Sequence, residues 1–118
     1  MKPLPIPEGD QLRAMVDGTI YDLLAEYIAN PRDVDFRKFI TVRRSRLIEF
    51  LQANPGLTEA YFKKCSAYKP LHDAQRIFER GSQYCVSSMD RGRERDVTCF
   101  KTLPEAVAEY VLVEHGMY

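Results

Sequence analysis

The chain is predicted to be an α+β domain, with about three N-terminal helices packed against a three-stranded antiparallel meander and a C-terminal helix. Three observations carry this expectation. Apolar residues recur at helical spacing through the first half. Beyond Lys69-Pro70 the runs become short, rich in aromatic and β-branched residues, and separated by glycine-containing turns. The last run opens on T-x-x-E and closes on a glycine, the start and stop signals of a helix.

At 118 residues one domain, 1–118, is expected. It divides into an extended lead-in over 1–9, a helical part over 10–69, and the meander with its closing helix over 74–118. In the lead-in, Pro3, Pro5 and Pro7 lack backbone donors and resist helix.

Asp10 can cap a first helix through about Asn30. Leu12, Val16, Ile20, Leu23, Leu24, Tyr27 and Ile28 make its apolar stripe, and Gly18 weakens the middle without having to break it. A second helix is expected over about Asp33 to Ala53, with Phe36, Phe39, Ile40, Leu47, Phe50 and Leu51 on one face. Arg43 projects to the middle of that face. Either the helix breaks near the β-branched Ile40, Thr41 and Val42, or it continues and Arg43 pairs or snorkels at the core edge. The continuous helix is the favoured reading. Asn54, Pro55 and Gly56 end it, and Thr58 can cap a third helix through about Ala67. Lys69-Pro70 stops that one.

"QRIFER", "SQYCVSSM" and "RDVTCFK" then read as three strands, with turns at Gly81 and at Asp90 to Arg93. In the closing helix Thr102 and Glu105 form a capping box, and Pro104 sits in the first turn, where a missing N–H costs little. Its stripe of Ala106, Val107, Tyr110 and Val111 can cover the apolar face of the meander, which needs such a cover. Gly116 is the expected stop.

Composition narrows the function classes. The chain is 45% hydrophobic and 29% charged, as soluble globular proteins are, with 17 cations against 17 anions. No global field therefore favours nucleic acid or anionic membrane. No apolar run reaches the ~18 residues of a membrane span, and the N-terminus lacks a secretion signal's apolar region. Cytoplasm is the expected compartment. Cys65, Cys85 and Cys99 lack zinc-site spacing and are expected as buried free thiols. Cys85 and Cys99 can lie on neighbouring strands, but a reducing compartment disfavours a disulfide there.

The search for chemistry returns no catalytic, cofactor or metal site. His72 and His115 have no partner at metal-ligand spacing. Ser82, Ser87 and Ser88 lie on or beside expected strands with no histidine nearby in sequence to act as base, and Ser45 is expected inside a helix. Nothing around Cys65 beyond Lys63 and Lys64 signals a lowered thiol pKa. The glycines build neither a dinucleotide fingerprint nor a P-loop. An enzyme is not expected, and no cofactor is.

Charge is unevenly placed. Arg37, Lys38, Arg43, Arg44 and Arg46 follow one another with no acid between Arg37 and Arg46. Such a stretch reads as a solvated flank, an acidic-partner site or, more weakly, a phosphate contact. The first helix carries the opposite bias, with Asp10, Asp17, Asp22 and Glu26 against Arg13. Asp17, Asp22, Glu26, Arg44, Arg46 and the hairpin residues Arg91 and Arg93 are the candidate partner-interface positions.

The segment "RIFERGSQYCV", the charged turn "DRGRERD" and then "VTCFKTLPEAVAEYVL" resemble the small immunity proteins of bacterial polymorphic toxin systems, including contact-dependent growth inhibition. The resemblance covers about a third of the chain. It implies that Phe100, Thr102, Glu105, Ala106 and Tyr110 are scaffold positions. It further implies a cytoplasmic protein that binds one cognate toxin domain and occludes its active site or substrate access. The chain departs from the acidity of many nuclease inhibitors, since its net charge is +0. The alternative is another protein-binding adaptor or regulator, with nucleic-acid binding through Arg37 to Arg46 behind it.

Overall fold

Pro7 opens the first helix, because its carbonyl accepts from the amides of Asp10 and Gln11, each at 3.1 Å. The structure, a computed structural model, describes residues 1–67 and 75–117. Among the described residues it is α+β, with five α-helices and one three-stranded antiparallel sheet. Two compact units divide it, Met1–Arg43 and Arg44–Tyr118. Two of the helices placed by sequence in a common helical part therefore belong with the sheet.

The first unit holds α1 (Glu8–Asp17) and α2 (Ile20–Ala25). The single helix expected from Asp10 to Asn30 is not formed. It starts earlier, under Pro7 rather than an Asp10 cap, and it breaks at Gly18, whose φ of 74° is the left-handed conformation of a helix terminator. The Gly18 N–H closes α1 on the Ala14 carbonyl. The apolar stripe itself survives, since Leu12, Val16, Ile20, Leu23, Leu24 and Tyr27 are all buried. Periodicity found the buried face and missed the bend within it.

The continuous second helix is also corrected. Short 3-10 turns cover Pro31–Asp33 and Phe36–Lys38, and the chain from Thr41 to Arg43 is irregular. Asp35 accepts from the Arg37 amide (3.1 Å), which closes the second turn locally instead of propagating helix. The Thr41 amide is committed elsewhere, donating to Gln11 Oε1 at 2.7 Å. The break falls where the β-branched residues stand. Arg43 is exposed, so no buried guanidinium has to be satisfied.

Gln11 holds this unit together. It is 2% exposed and lies on α1 among apolar neighbours. Its Nε2 donates to the Ile6 carbonyl (2.8 Å) while its Oε1 receives the Thr41 amide. One side chain thus satisfies a donor and an acceptor on two non-helical strands of backbone. An Arg32 guanidinium over the Tyr21 ring (4.5 Å) and a Tyr21–Phe36 edge contact (6.1 Å) fix the two 3-10 turns to α2.

The second unit runs α3 (Arg44–Ala53), α4 (Pro55–Ser66), β1 (Gln75–Arg80), β2 (Gln83–Asp90), β3 (Arg93–Phe100) and α5 (Leu103–Glu114). The helix α4 starts at Pro55, a residue suited to the first helical position, and not at a Thr58 cap. Thr58 is instead buried one turn in. Its hydroxyl stands 2.7 Å from the Leu51 carbonyl and 2.9 Å from that of Asn54, so it stitches α4 to the end of α3. The Lys69-Pro70 stop and His72 lie outside the described residues.

The meander forms as expected, in the order β1-β2-β3. Arg91 and Gly92, at φ 53° and 75°, give the second hairpin a two-residue turn whose twist matches the strands. α5 packs on all three strands and also on α3 and α4. That position explains why burial on it exceeds a single stripe, with Ala106, Val107, Ala108, Val111 and Leu112 all at 4% exposure or less. Its N-terminal cap differs from the expected reciprocal box. The Thr102 hydroxyl donates to Glu105 Oε1 (2.7 Å), and no side-chain bond reaches the backbone amides. The stop is as expected: Gly116 at φ 68° sends its N–H to Val113, and Met117 sends its own to Leu112 at 2.7 Å.

Candidate interaction surfaces

Side-chain alternation makes Val86 face α5, while Cys85, Ser87 and Met89 face the other way with Arg76, Phe78 and Glu94. This outer face is a bonded array. Glu94 accepts from Arg80 Nη2 (2.9 Å) and Ser87 Oγ (3.2 Å), with Arg76 Nη1 at 3.4 Å. The Arg76 and Arg80 guanidiniums also lie 4.8 and 4.9 Å from the centre of the Phe78 ring.

Beneath the array, Cys85 and Cys99 are joined by a disulfide, which corrects the expectation of free thiols. The reason is register. The Asp90↔Arg93 pairing, continued without interruption, would set Thr98 opposite Cys85. A bulge between Val86 and Ser88 inserts one extra residue of β3 near Asp96, and Cys99 then faces Cys85. Asp96 takes φ 51°, unusual for a residue with a Cβ. Cys65 is free and half-buried between Tyr61 and Tyr110, where burial pushes its thiol pKa up. Such a thiol is a poor source of thiolate at neutral pH.

The predicted interface positions separate. Asp22 and Glu26 line one recess of ≈ 330 Å³ in the first unit, together with Asp10, Lys2 and Arg13. Lys2 Nζ donates to Glu26 at 2.6 Å, and that bond raises the Lys2 pKa. Asp17, exposed at the end of α1, does not line this recess. Arg44 binds Glu109 (2.6 Å) and Arg46 binds Glu49 (2.6 Å), so each has a carboxylate of its own unit. Arg91 and Arg93 are both exposed at the tip of the second hairpin. Arg37 is held by Asp35 (2.9 Å), which lowers the Asp35 pKa.

No family model, curated protein or solved structure matches this chain. Among the described residues, no three His, Cys, Asp or Glu side chains gather as metal ligands, and no helix is long and apolar enough to cross a membrane.

Sequence reasoning missed a second recess, of ≈ 320 Å³, between α5 and the inner face of the sheet. Asp96 and Glu109 both line it, from segments 13 residues apart that spacing alone does not connect. The one signal for it was the surplus residue in β3, and that shows only once the register is known.

At the far end of α5, partial burial pushes the Glu114 carboxyl above its ordinary value, against a smaller pull from His115. A folded pKa above the unfolded one favours the protonated acid, so the associated stability is full below the unfolded pKa. It is lost as pH rises through the folded pKa. Glu114→Gln is therefore expected to stabilise the unit at pH 7 by about 0.5 kcal/mol or less after solvent screening. Thermal unfolding of both proteins at pH 7 and pH 3.5 checks it, and the gain should shrink at the lower pH.

Proposed function

We propose that the chain is an immunity-type inhibitor, binding one cognate bacterial toxin domain and blocking its active site or access to its substrate. The observation that carries this reading is what the F-x-T-L-x-E-A-x-x-x-Y residues do. Ala106 and Tyr110 are buried and the Thr102 and Glu105 side chains bond to each other, as scaffold positions should. Charge, by contrast, is displayed on a cross-linked hairpin whose shape is fixed before a partner arrives, which lowers the cost of binding. Arg91 and Arg93 at its tip, with Asp22 and Glu26 of the first unit, are the surfaces offered to the toxin.

The family implies a cytoplasmic setting. The Cys85–Cys99 bond bears against that part, since cytosolic reductants keep most thiols reduced. Alkylating the chain in intact cells and counting trapped thiols decides between the two compartments. The Arg37 to Arg46 stretch, on which a nucleic-acid role would rest, spans a 3-10 turn, irregular chain and the start of α3.

The reading is tested by co-expression with the product of an adjacent toxin gene. A one-to-one complex and restored growth are the expected results. Neither rescue nor complex overturns it, and a pull-down returning a regulatory partner instead supports an adaptor role.

A further inference from the structure

We infer that the recess between α5 and the inner sheet face receives an arginine side chain of the partner; this deepens the proposed function and rests on it. The recess offers acceptors: the Asp96 and Glu109 carboxylates, the Gln75 amide and the hydroxyls of Ser88 and Thr98. Among the described residues no cation lines it, whereas Lys2 and Arg13 stand among the acids of the first unit's recess. With Glu109 already paired to Arg44, the Asp96 carboxylate is the charge left to favour a positive group.

The two carboxylates differ in state. Glu109 is fixed by Arg44, whose Nη1 binds one of its oxygens at 2.6 Å, and its side chain is 19% exposed. Asp96 has no hydrogen-bond or ionic partner among the described residues. The bulge, with its left-handed Asp96 backbone, brings this exposed residue among those lining the recess. Gln75 commits its Nε2 to Ser88 (3.2 Å), which leaves the amide oxygen as an acceptor.

A guanidinium suits this set better than an ammonium. Its planar fork carries five donors that can reach several acceptors at once. Val86 and Val113 supply apolar surface for the methylene stem. Arginine buried at the centre of an interface is also among the residues that most often dominate binding energy.

The test is an NMR titration of the whole chain with N-acetyl-arginine amide. Saturable shifts are expected at the Ser88, Asp96, Thr98 and Val113 amides, with none from the neutral, isosteric citrulline analogue. Asp96→Asn should weaken binding about tenfold or more, and asparagine tolerates the left-handed backbone, so the variant folds. Spectra unchanged away from the recess confirm that. Absent shifts, shifts that persist with citrulline or in Asp96→Asn, or equal binding of N-acetyl-lysine amide overturn the inference. A failed titration leaves the co-expression result standing, and a failed co-expression with an intact titration overturns the inhibitor reading instead.

Discussion

Reduction of the Cys85–Cys99 bond is expected to lower the unfolding free energy of the unit Arg44–Tyr118 by about 3 kcal/mol, the loop-closure entropy of a cross-link of this span. The two cysteines are 14 residues apart in sequence and face each other across β2 and β3. Cys85 is fully buried, so the bond also lies within the packed sheet and not at a fraying end. Urea denaturation with and without dithiothreitol measures the effect as a shift in midpoint. Thiol counting in denaturant comes first: Cys65 alone should react in the oxidised chain. Three reactive thiols, or coincident curves, would refute the cross-link's role. Small domains stand only about 5–15 kcal/mol above unfolding, so a loss of this size is a substantial fraction of the whole.

Replacing Gln11 by leucine is expected to destabilise the unit Met1–Arg43 by about 2–4 kcal/mol. The substitution roughly preserves volume, so little of the loss comes from packing. It strands the buried Ile6 carbonyl and the part-buried Thr41 amide; a buried group left without a partner costs about 1–3 kcal/mol, and a part-buried one less. Both bonds are short, at 2.8 and 2.7 Å, and Gln11 is almost completely enclosed. Gln11→Glu separates shape from chemistry: it can still accept from Thr41 but cannot donate to Ile6 when ionised. Hydrogen exchange at the Thr41 amide reads the effect locally. Unchanged protection in the leucine variant would show that the amide finds another partner.

Gln11 also marks the limit of what periodicity could show. A glutamine at a buried helical position looks like a flaw in an apolar stripe, and its meaning depends on Thr41, 30 residues away. The elements legible in the sequence were those set by local rules. The strands were bounded by Gly81 and by the Arg91-Gly92 turn, and α5 by Pro104 and Gly116, because turn and stop signals act over three or four residues. The helices expected over Asp10 to Asn30 and Asp33 to Ala53 were too long for the opposite reason. Gly18 can sit in a helix or take the left-handed turn that ends one, and periodicity does not say which; the Ile40-Thr41-Val42 run carries only a weak local preference, and the Thr41 bond to Gln11 decided it. Among the candidate surface residues, sequence located the charge of Arg44 and Arg46 but not the acids Glu109 and Glu49 that hold them.

The surplus residue of β3 has a kinetic consequence. Zippering from the Asp90–Arg93 hairpin turn, one rung at a time, brings Thr98 rather than Cys99 to Cys85, and no cross-link can then close. Only a chain that has skipped a rung near Asp96 presents the two sulfurs to each other. Oxidation thus proofreads the meander, sealing copies that have miscounted in the right way and leaving the others open to try again.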